Sequence, residues 1–452
     1  MIFAKRALLP AGWAGDVRVT ISDGAIEGVA QGQRPEPGDV RVDTLLPALS
    51  NLHSHSFQRA MAGMTEYRAA GKESFWTWRE LMYRFLDNLT PEAVEAIAAQ
   101  VFLEMQEAGY AAVGEFHYVH HQRGGAAYAD IGELSARIFA AAAQTGIGLT
   151  HLPVLYSYGG AGRKPLAGGQ LRFGNDPDGF ARLLEAARTA ANGLPDDTVV
   201  GLAPHSLRAT CPEDLAKVVP LSAGGPLHIH IAEQPQEVAD ISAWLGARPV
   251  EWLLANAPVG RDWCAIHATH MTDEECANLA RSGAVAGLCP ITEANLGDGP
   301  FKGPGWLAAG GVFGLGSDSN VRISLVEELR TLEYSQRLRD LGRNVMVLGA
   351  GSVGTALYTG AARGGAQALG RKAGEIDKGN LADLVAIDAG HPALCALSED
   401  QLLDGLCFAA PDGVVTDLWS AGRHSVKAGR HVARDRIVAA YKKTITGLVA
   451  AL

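Results

Sequence analysis

The feature that most constrains the fold of this 452-residue chain is a pair of histidines, His53 and His55, at the end of an apolar run that begins at Leu45. In a β-strand, alternate side chains share one face, so the two imidazoles of a His-x-His pair point at the same place. Three further short apolar runs each end in a possible metal partner, namely His230, His267 and Asp318. These positions together predict a hydrolytic metal site.

The middle of the chain alternates short β-type runs with helical stretches, which is typical of a parallel sheet covered by helices. Eight such runs predict an α/β fold, a (β/α)8 TIM-like barrel with insertions. The carboxyl ends of barrel strands meet at one rim, so side chains that end their strands should converge there. The predicted strands are Leu46–His53, Ala111–Tyr118, Gly148–Leu155, Val199–Pro204, Leu227–Ala232, Trp263–Ala268, Ala284–Cys289 and Val312–Gly316.

Both ends of the chain carry short alternating strands and tight turns, as in Val17–Ile21, Asp383–Asp388 and Ser425–Val432. A final helix of about 15 residues is predicted to follow from Arg436. The similar ends predict a small β domain built from residues 1–45 together with 376–452, beside a barrel of residues 46–375.

Two segments do not fit simple βα units, the Arg68–Leu86 insertion and the glycine-rich Tyr158–Gly174 loop. Both follow strands on the face where barrels place their active sites. They could therefore cover a substrate, or they could be ordinary surface excursions.

Composition restricts the possible partners. The net charge of −10 and the pI near 5.8 argue against a nucleic-acid or anionic-membrane surface, because both need clustered Lys and Arg. A small molecule is the expected partner. The six cysteines are scattered without a C-x-x-C pair, the N-terminus has no signal-peptide pattern, and no apolar run reaches the roughly 18 residues of a membrane span. We therefore expect a cytoplasmic protein.

Four of the strand-end residues form the predicted metal site: His53, His55, His230 and Asp318. Three imidazoles and one carboxylate leave room for water on a divalent ion, as catalytic metal sites require. Mixed nitrogen and oxygen donors suit zinc best, with iron and manganese as alternatives. His228 shares the predicted face of His230 and competes with it for the ligand role.

Glu233 favours His230 in that competition. It lies just past the strand, where a carboxylate could reach the substrate beside the metal and protonate a leaving nitrogen. The alternative is a solvated loop residue. His267, at the end of the sixth strand, could hydrogen-bond the reacting water and help Asp318 to take its proton. The predicted catalytic residues are therefore Glu233, His267 and Asp318.

This pattern resembles the amidohydrolase superfamily, whose members carry His-x-His on strand one, His on strands five and six, and Asp on strand eight of a barrel beside a β-sandwich built from both termini. Two-metal members carry a lysine on strand four, whereas Val199–Ser206 contains none. The resemblance therefore implies one divalent metal ion. The His230–Glu233 and Ala203–Ser206 runs resemble the deaminase branch, which replaces C–NH2 or C=NH by C=O.

Longer segments resemble the formimidoylglutamate deiminase family, namely His53–Gly63, Phe75–Tyr83, Glu115–His121 and Pro204–Ala209. The resemblance implies hydrolysis of N-formimino-L-glutamate, a dicarboxylate, to N-formyl-L-glutamate and ammonia in histidine degradation, and a homodimer. Arg79 and Arg208 would bind the substrate carboxylates, since a guanidinium pairs bidentately with carboxylate. Gln58, Tyr118 and His205 could complete the polar contacts.

Two alternative functions, and one alternative role for Arg79, remain open at this point. A purine, pterin or thioadenosine-type deaminase could use the same barrel, but a neutral ring gives no use for two arginines in the pocket. Arg79 could instead be a surface ion-pair residue. A non-catalytic relative that kept the barrel as a scaffold would usually have lost metal ligands, whereas all the predicted positions are present here.

Overall fold

The computed structural model describes residues 1–66 and 75–451, with the side chains of residues 75–80 outside the description. The strands, in chain order, are β1 (Ile2–Leu9), β2 (Gly12–Ser22), β3 (Ala25–Ala30), β4 (Val40–Pro47), β5 (Leu49–Ser54), β6 (Tyr110–His117), β7 (Gly148–Leu155), β8 (Val199–Val200), β9 (Ala203–Pro204), β10 (Leu227–Ile231), β11 (Trp263–His267), β12 (Val285–Leu288), β13 (Val312–Leu315), β14 (Leu384–Ile387), β15 (Val415–Ser420), β16 (Arg423–Lys427) and β17 (Arg430–His431). The helices are α1 (Phe75–Leu86), α2 (Pro91–Ala108), α3 (Glu133–Thr145), α4 (Pro177–Ala191), α5 (Pro212–Val218), α6 (Pro235–Leu245), α7 (Pro249–Asn256), α8 (Asp273–Arg281), α9 (Pro290–Leu296), α10 (Gly303–Ala308), α11 (Leu325–Asp340), α12 (Val353–Ala368), α13 (Asp400–Phe408) and α14 (Arg434–Ala450).

The strands form two sheets. One joins both ends of the chain in the order β17-β16-β15-β14-β4-β1-β2-β3. The other is parallel, in the order β10-β11-β12-β13-β5-β6-β7-β8, with β9 also paired to β7. Parallel bridges from Leu202 to Leu227 and from Ser206 to His230 connect the fourth barrel strand to β10 and close the barrel. The predicted (β/α)8 barrel beside a sheet from both termini is confirmed, while the domain boundaries after residues 45 and 375 stay a prediction.

The predicted first barrel strand, Leu46–His53, is wrong as one unit. Its beginning belongs to β4, where Leu46 pairs with Val385 of the terminal sheet. Its remainder is β5, which pairs with β6 and β13 of the barrel. Both halves are apolar and buried, so hydrophobicity alone could not show that the chain changes sheets at Ala48. The predicted fourth strand is likewise interrupted, between β8 and β9.

Helix boundaries follow the local sequence signals. Thr90 accepts a hydrogen bond from the Ala93 N–H at 3.2 Å and caps α2, and Gly109 ends that helix with a φ of 105°. The final helix begins at Arg434, close to the predicted Arg436. Within the described part of the chain, no helix has the length and apolar character needed to cross a membrane.

Arg371 connects the sheet built from both chain ends, β1–β4 with β14–β17, to the barrel. Its fully buried guanidinium donates to Oδ2 of Asp383, which precedes β14, at 2.9 Å. It also donates to the backbone oxygen of Asp197, beside β8, at 2.7 Å. Arg423 on β16 pairs with the Asp197 carboxylate at 2.7 Å. This buried network therefore links the two sheets.

We expect Arg371→Met to lower the free energy of unfolding by about 3–5 kcal/mol, because it leaves the buried Asp383 carboxylate without its guanidinium partner. Arg430→Met removes the exposed Arg430–Asp435 pair and should cost less than about 1 kcal/mol. Denaturant unfolding of both variants measures the difference. Equal, small losses would show that the Arg371 network does not couple the sheets.

Candidate active site

Four buried side chains converge at the carboxyl ends of three barrel strands. His53 lies on β5 and His55 directly follows that strand, whereas His230 lies on β10 and Asp318 follows β13. Nε2 of His53 is 3.1 Å from Nε2 of His230 and 3.4 Å from Oδ1 of Asp318. Nε2 of His55 is also 3.4 Å from that oxygen. The structure thus brings the four predicted metal ligands together, with their ligand atoms within 4.8 Å of one another.

Hydrogen bonds orient the rings of His55 and His230 so that the Nε2 lone pair of each faces the other predicted ligand atoms. Nδ1 of His55 donates to the backbone oxygen of Phe116 at 2.9 Å, and Nδ1 of His230 donates to that of His205 at 3.0 Å. Because a carbonyl oxygen only accepts, Nδ1 must carry the proton in each ring and Nε2 is left as a ligand atom.

The charges of the group also suit a cation. Burial lowers the pKa of His53 to about 3, lowers that of His55, and lowers that of His230 well below its usual value, so these rings are neutral, as metal ligands must be. Burial acts to raise the pKa of Asp318, but its contact with His53 and the positive charge of His267, whose own pKa is raised, lower it overall. Ligand atoms about 2.1 Å from one ion at tetrahedral angles lie about 3.4 Å apart, so the observed spacing fits a divalent metal.

Gly316 directly follows β13, the eighth barrel strand, and allows the chain there to pack closely against β5, the first barrel strand. A Cβ at this position would lie 2.7 Å from Cβ and 2.8 Å from the backbone oxygen of His53. Beyond it, Asp318 has a φ of 46°, in the left-handed region. Its N–H donates to the His53 oxygen, and its own oxygen accepts from the His55 N–H, both at 2.9 Å. The backbone thereby fixes the carboxylate beside the two histidines.

His228 is not part of this group. Its Nε2 donates to the backbone oxygen of Ala368, at the end of α12, at 2.7 Å. Burial lowers the pKa of His228 to about 4, so the ring is a neutral core residue. The structure thus places His230, and not His228, in the group of possible metal ligands.

His267 stands between the predicted metal ligands and a set of carboxylates. Its Nε2 is 3.8 Å from Oδ2 of Asp318 and 3.9 Å from Oε1 of Glu233. Its Nδ1 is 3.2 Å from Oε1 of Glu293. Burial opposes protonation, but the Glu293 hydrogen bond and the negative charges of Glu233, Asp318 and Glu293 raise the pKa of His267 to about 10.

Arg208 and Glu233 face one another on the other side of the pocket. Nη2 of Arg208 donates to Oε2 of Glu233 at 3.0 Å, and both side chains are buried. Nε of Arg208 lies 3.5 Å from Oε2 of Glu237. Glu233 is therefore not a solvated loop residue, and the arginine stands beside it at the pocket wall.

These side chains line one partly open pocket at the rim of the barrel. Nε2 of Gln58 donates to the Tyr118 hydroxyl at 2.6 Å. The side chain of Arg79 lies outside the described residues, so its predicted contact stays a prediction. The lining side chains are His55, Gln58, Met82, Tyr118, Tyr156, Phe173, His205, Arg208, His230, Glu233, His267, Leu296, Asp318 and Ser319.

The two predicted covering segments meet beside this pocket, as far as they are described. Arg172, fully buried in the 158–174 loop, donates to the backbone oxygens of Leu86 and Leu89, the latter at 3.1 Å. From the same segments, Met82 and Phe173 line the pocket. Residues 67–74 of the other insertion are not described, and a lid role for either segment stays a prediction.

Among the carboxylates near the site in the described part of the chain, Glu293, Glu115 and Glu237 were not predicted. Glu293 lies on α9, beyond the end of β12, so the strand-end rule that found Asp318 does not reach it. Glu115 does not line the pocket and accepts from the N–H and hydroxyl of Ser56 at 2.8 and 2.6 Å. Glu237 lies on α6. Glu115 and Glu237 stabilise turns through hydrogen bonds to backbone N–H groups, and no spacing rule for metal ligands identifies such residues.

Comparison with known proteins agrees with this geometry. Residues 44–424 match the family model described as Amidohydrolase family, and residues 1–43 match that described as Formimidoylglutamate deiminase HutF, N-terminal domain. The chain is 49% identical to formimidoylglutamate deiminase of Pseudomonas aeruginosa over 453 residues, which cover 99% of each protein. It is 27% identical to a 5-methylthioadenosine/S-adenosylhomocysteine deaminase of Natronomonas pharaonis, over 87% of this chain and 82% of that protein.

Solved structures show the same relationship. An amidohydrolase from Brucella melitensis superposes with a TM-score of 0.95 at 48% identity, covering 99% of each chain. An adenosine deaminase from Xanthomonas campestris with bound zinc shares the fold, with a TM-score of 0.83 at 22% identity over 99% of this chain and 98% of that one. The resemblance predicted from the motifs is confirmed, and the chain belongs to the amidohydrolase family, within the branch that contains formimidoylglutamate deiminase.

Proposed function

We propose that the chain is a metal-dependent hydrolase that converts N-formimino-L-glutamate and water to N-formyl-L-glutamate and ammonia, a step of histidine degradation. The observation that carries this proposal is the position of Arg208, a buried cation in the same pocket as the four-residue ligand group and the Glu233 carboxylate. An acidic amidine can place its carboxylate at the arginine and its reacting carbon near the ligand group.

The roles of the residues follow from their chemistry. His53, His55, His230 and Asp318 would hold one divalent ion. When bound, such an ion supplies the Lewis acidity that lowers the pKa of water towards neutrality. His267 orients the attacking water through Nε2 and assists Asp318, which takes a proton from it. The water oxygen then bonds to the formimino carbon.

Glu233 completes the reaction. It carries protons to the terminal nitrogen: that nitrogen gains one of the water's two protons as the C=N double bond becomes single, and the other as the carbon–nitrogen bond breaks and the carbonyl forms, so that ammonia leaves and Glu233 returns to the carboxylate. Glu233 lies close to both His267 and Arg208, which supports its placement between the reacting carbon and the substrate carboxylate. Gln58, Tyr118 and His205 line the same pocket and would provide polar contacts to the substrate.

Zinc is the proposed metal, because three neutral imidazoles and one carboxylate match its preferred donors, with iron and manganese as alternatives. A cytoplasmic location and a homodimer belong to the same proposal. The location is supported by the six cysteines, which are free thiols, five of them buried.

Ammonia release tests the proposed function. Zinc-loaded protein should release ammonia rapidly from N-formimino-L-glutamate and slowly or not at all from guanine, adenosine and thioadenosine compounds. Arg208→Met should raise KM for the acidic substrate by roughly 10- to 100-fold, because a charged hydrogen bond contributes about 1.5–3 kcal/mol. Turnover of a ring compound in preference to the formimino acid would contradict the proposal and favour the ring-deaminase alternative.

A further inference from the structure

Glu237 is a fully buried carboxylate that lies outside the wall of the pocket. It belongs to the first turn of α6, directly behind the segment that carries Glu233. One carboxylate oxygen accepts from the Ala232 N–H and the other from the Glu233 N–H, both at 3.2 Å. The Glu237 side chain therefore fixes the backbone from which the Glu233 side chain projects.

The turn that Glu237 holds is conformationally demanding. Ala232 has a φ of 51°, in the left-handed region that residues other than glycine seldom adopt. A turn of this kind persists only when its surroundings fix it. Two hydrogen bonds to one buried carboxylate provide that fixation, and they direct the Glu233 side chain into the pocket.

The same carboxylate also faces Arg208. Oε2 of Glu237 lies 3.5 Å from Nε of Arg208, whereas Oε2 of Glu233 accepts from Nη2 at 3.0 Å. The guanidinium is thus held between two carboxylates, one in the pocket and one behind it. At that distance Nε makes no hydrogen bond with Glu237, so the contact is an ion pair through which the charge of Glu237 attracts the guanidinium.

We propose that Glu237 is a positioning residue that fixes both Glu233 and Arg208, so that one buried carboxylate sets the separation between proton donor and substrate-carboxylate site. This inference rests on the proposed function for the roles of those two residues. It assigns Glu237 no contact with the substrate. Its loss should therefore affect turnover and carboxylate binding together, through displacement of residues that are still present.

Glu237→Gln tests the inference, with Glu333→Gln as a matched control. Glu333 is also fully buried, accepts from the Val345 and Met346 N–H groups at 3.0 and 2.9 Å, and pairs with Nε of Arg337 at 2.6 Å, but it does not line the pocket. A purely structural carboxylate should therefore behave like Glu333. Both variants of the full-length, zinc-loaded protein are measured for metal content, Tm, kcat and the affinity for N-formyl-L-glutamate.

We expect Glu237→Gln to keep its metal and to lose kcat by roughly 100-fold, since a displacement near 1 Å at the reacting groups costs about that much. Affinity for N-formyl-L-glutamate, which reports on Arg208, should fall about tenfold, as for a weakened charged hydrogen bond. Glu333→Gln should lower Tm and leave kcat and product affinity per bound metal unchanged. Equal kinetic behaviour of the two variants would overturn the positioning role.

A second variant and an assay of the wild-type protein complete the experiment. If Glu237→Gln does not fold, Glu237→Asp retains the charge and both oxygens but shortens the side chain by one methylene, so it must still lower kcat several-fold. Wild-type kinetics in that variant would overturn the inference. Absence of ammonia release from N-formimino-L-glutamate by the wild-type protein would instead refute the proposed function, independently of Glu237.

Discussion

Glu233→Gln should reduce kcat for N-formimino-L-glutamate by roughly 100- to 10,000-fold, the usual contribution of a positioned general acid. The amide oxygen can still accept from Nη2 of Arg208, which lies 3.0 Å from the carboxylate, so the pocket should keep its shape. The variant loses the ability to deliver a proton to the leaving nitrogen. Steady-state kinetics of the zinc-loaded variant measures the loss.

Two controls belong to this experiment. Metal content should equal that of the wild-type protein, because the predicted ligands are His53, His55, His230 and Asp318. Affinity for N-formyl-L-glutamate should change by only a fewfold. Turnover close to the wild-type value would remove Glu233 from the acid role and leave the source of the proton to another group in the pocket.

His230→Gln should eliminate tight metal binding and, with it, turnover. The ring of His230 supplies one of three neutral nitrogen donors, and its Nε2 faces that of His53 at 3.1 Å. Loss of even an outer partner of a metal ligand typically costs about 10- to 100-fold in affinity, so loss of a ligand should cost at least about 100-fold. Metal analysis after dialysis, followed by the ammonia assay, measures both effects.

His228→Gln is the matched control, since His228 lies on the same strand and is buried to a similar degree. Its Nε2 bonds only to the Ala368 oxygen among the described residues, and a glutamine amide can replace that donor. The variant should keep its metal and its activity, with a modest decrease in Tm. Metal loss from His228→Gln, with retention by His230→Gln, would reverse the assignment of the ligand.

Much of the site could be predicted because a parallel barrel brings the ends of distant strands to one rim. That rule identified His53, His230, His267 and Asp318 from their positions alone, without knowledge of any distance. It worked because each side chain is fixed by its strand. The resemblance added Arg208, whose burial beside Glu233 no periodicity indicates.

Other parts of the fold and of the site depend on tertiary contacts that cannot be predicted from the sequence pattern. The run from Leu46 to His53 divides between two sheets because each half finds a different partner, Val385 in one case and β6 in the other. Arg371 links the two sheets across residues far apart in the chain. Glu237 acts on a turn rather than on a metal, so its residue type and spacing match no ligand pattern.

The distribution of charge explains how an acidic chain can bind an acidic substrate. The net charge of −10 describes the whole molecule, whereas a pocket responds to the groups that line it. Arg208 lies beside Glu233 and Glu237, whose carboxylates already balance its charge. A substrate carboxylate must therefore compete with Glu233 for the guanidinium, which brings the substrate next to the proposed proton donor.

The most direct test of the central claim is the identity of the products from N-formimino-L-glutamate, measured by NMR with the zinc-loaded protein. After water adds, the central carbon bears two nitrogens, and either carbon–nitrogen bond could break. Protonation of the terminal nitrogen by Glu233 predicts N-formyl-L-glutamate and ammonia in equal amounts. Formation of L-glutamate and formamide, or no reaction at all, would contradict the account.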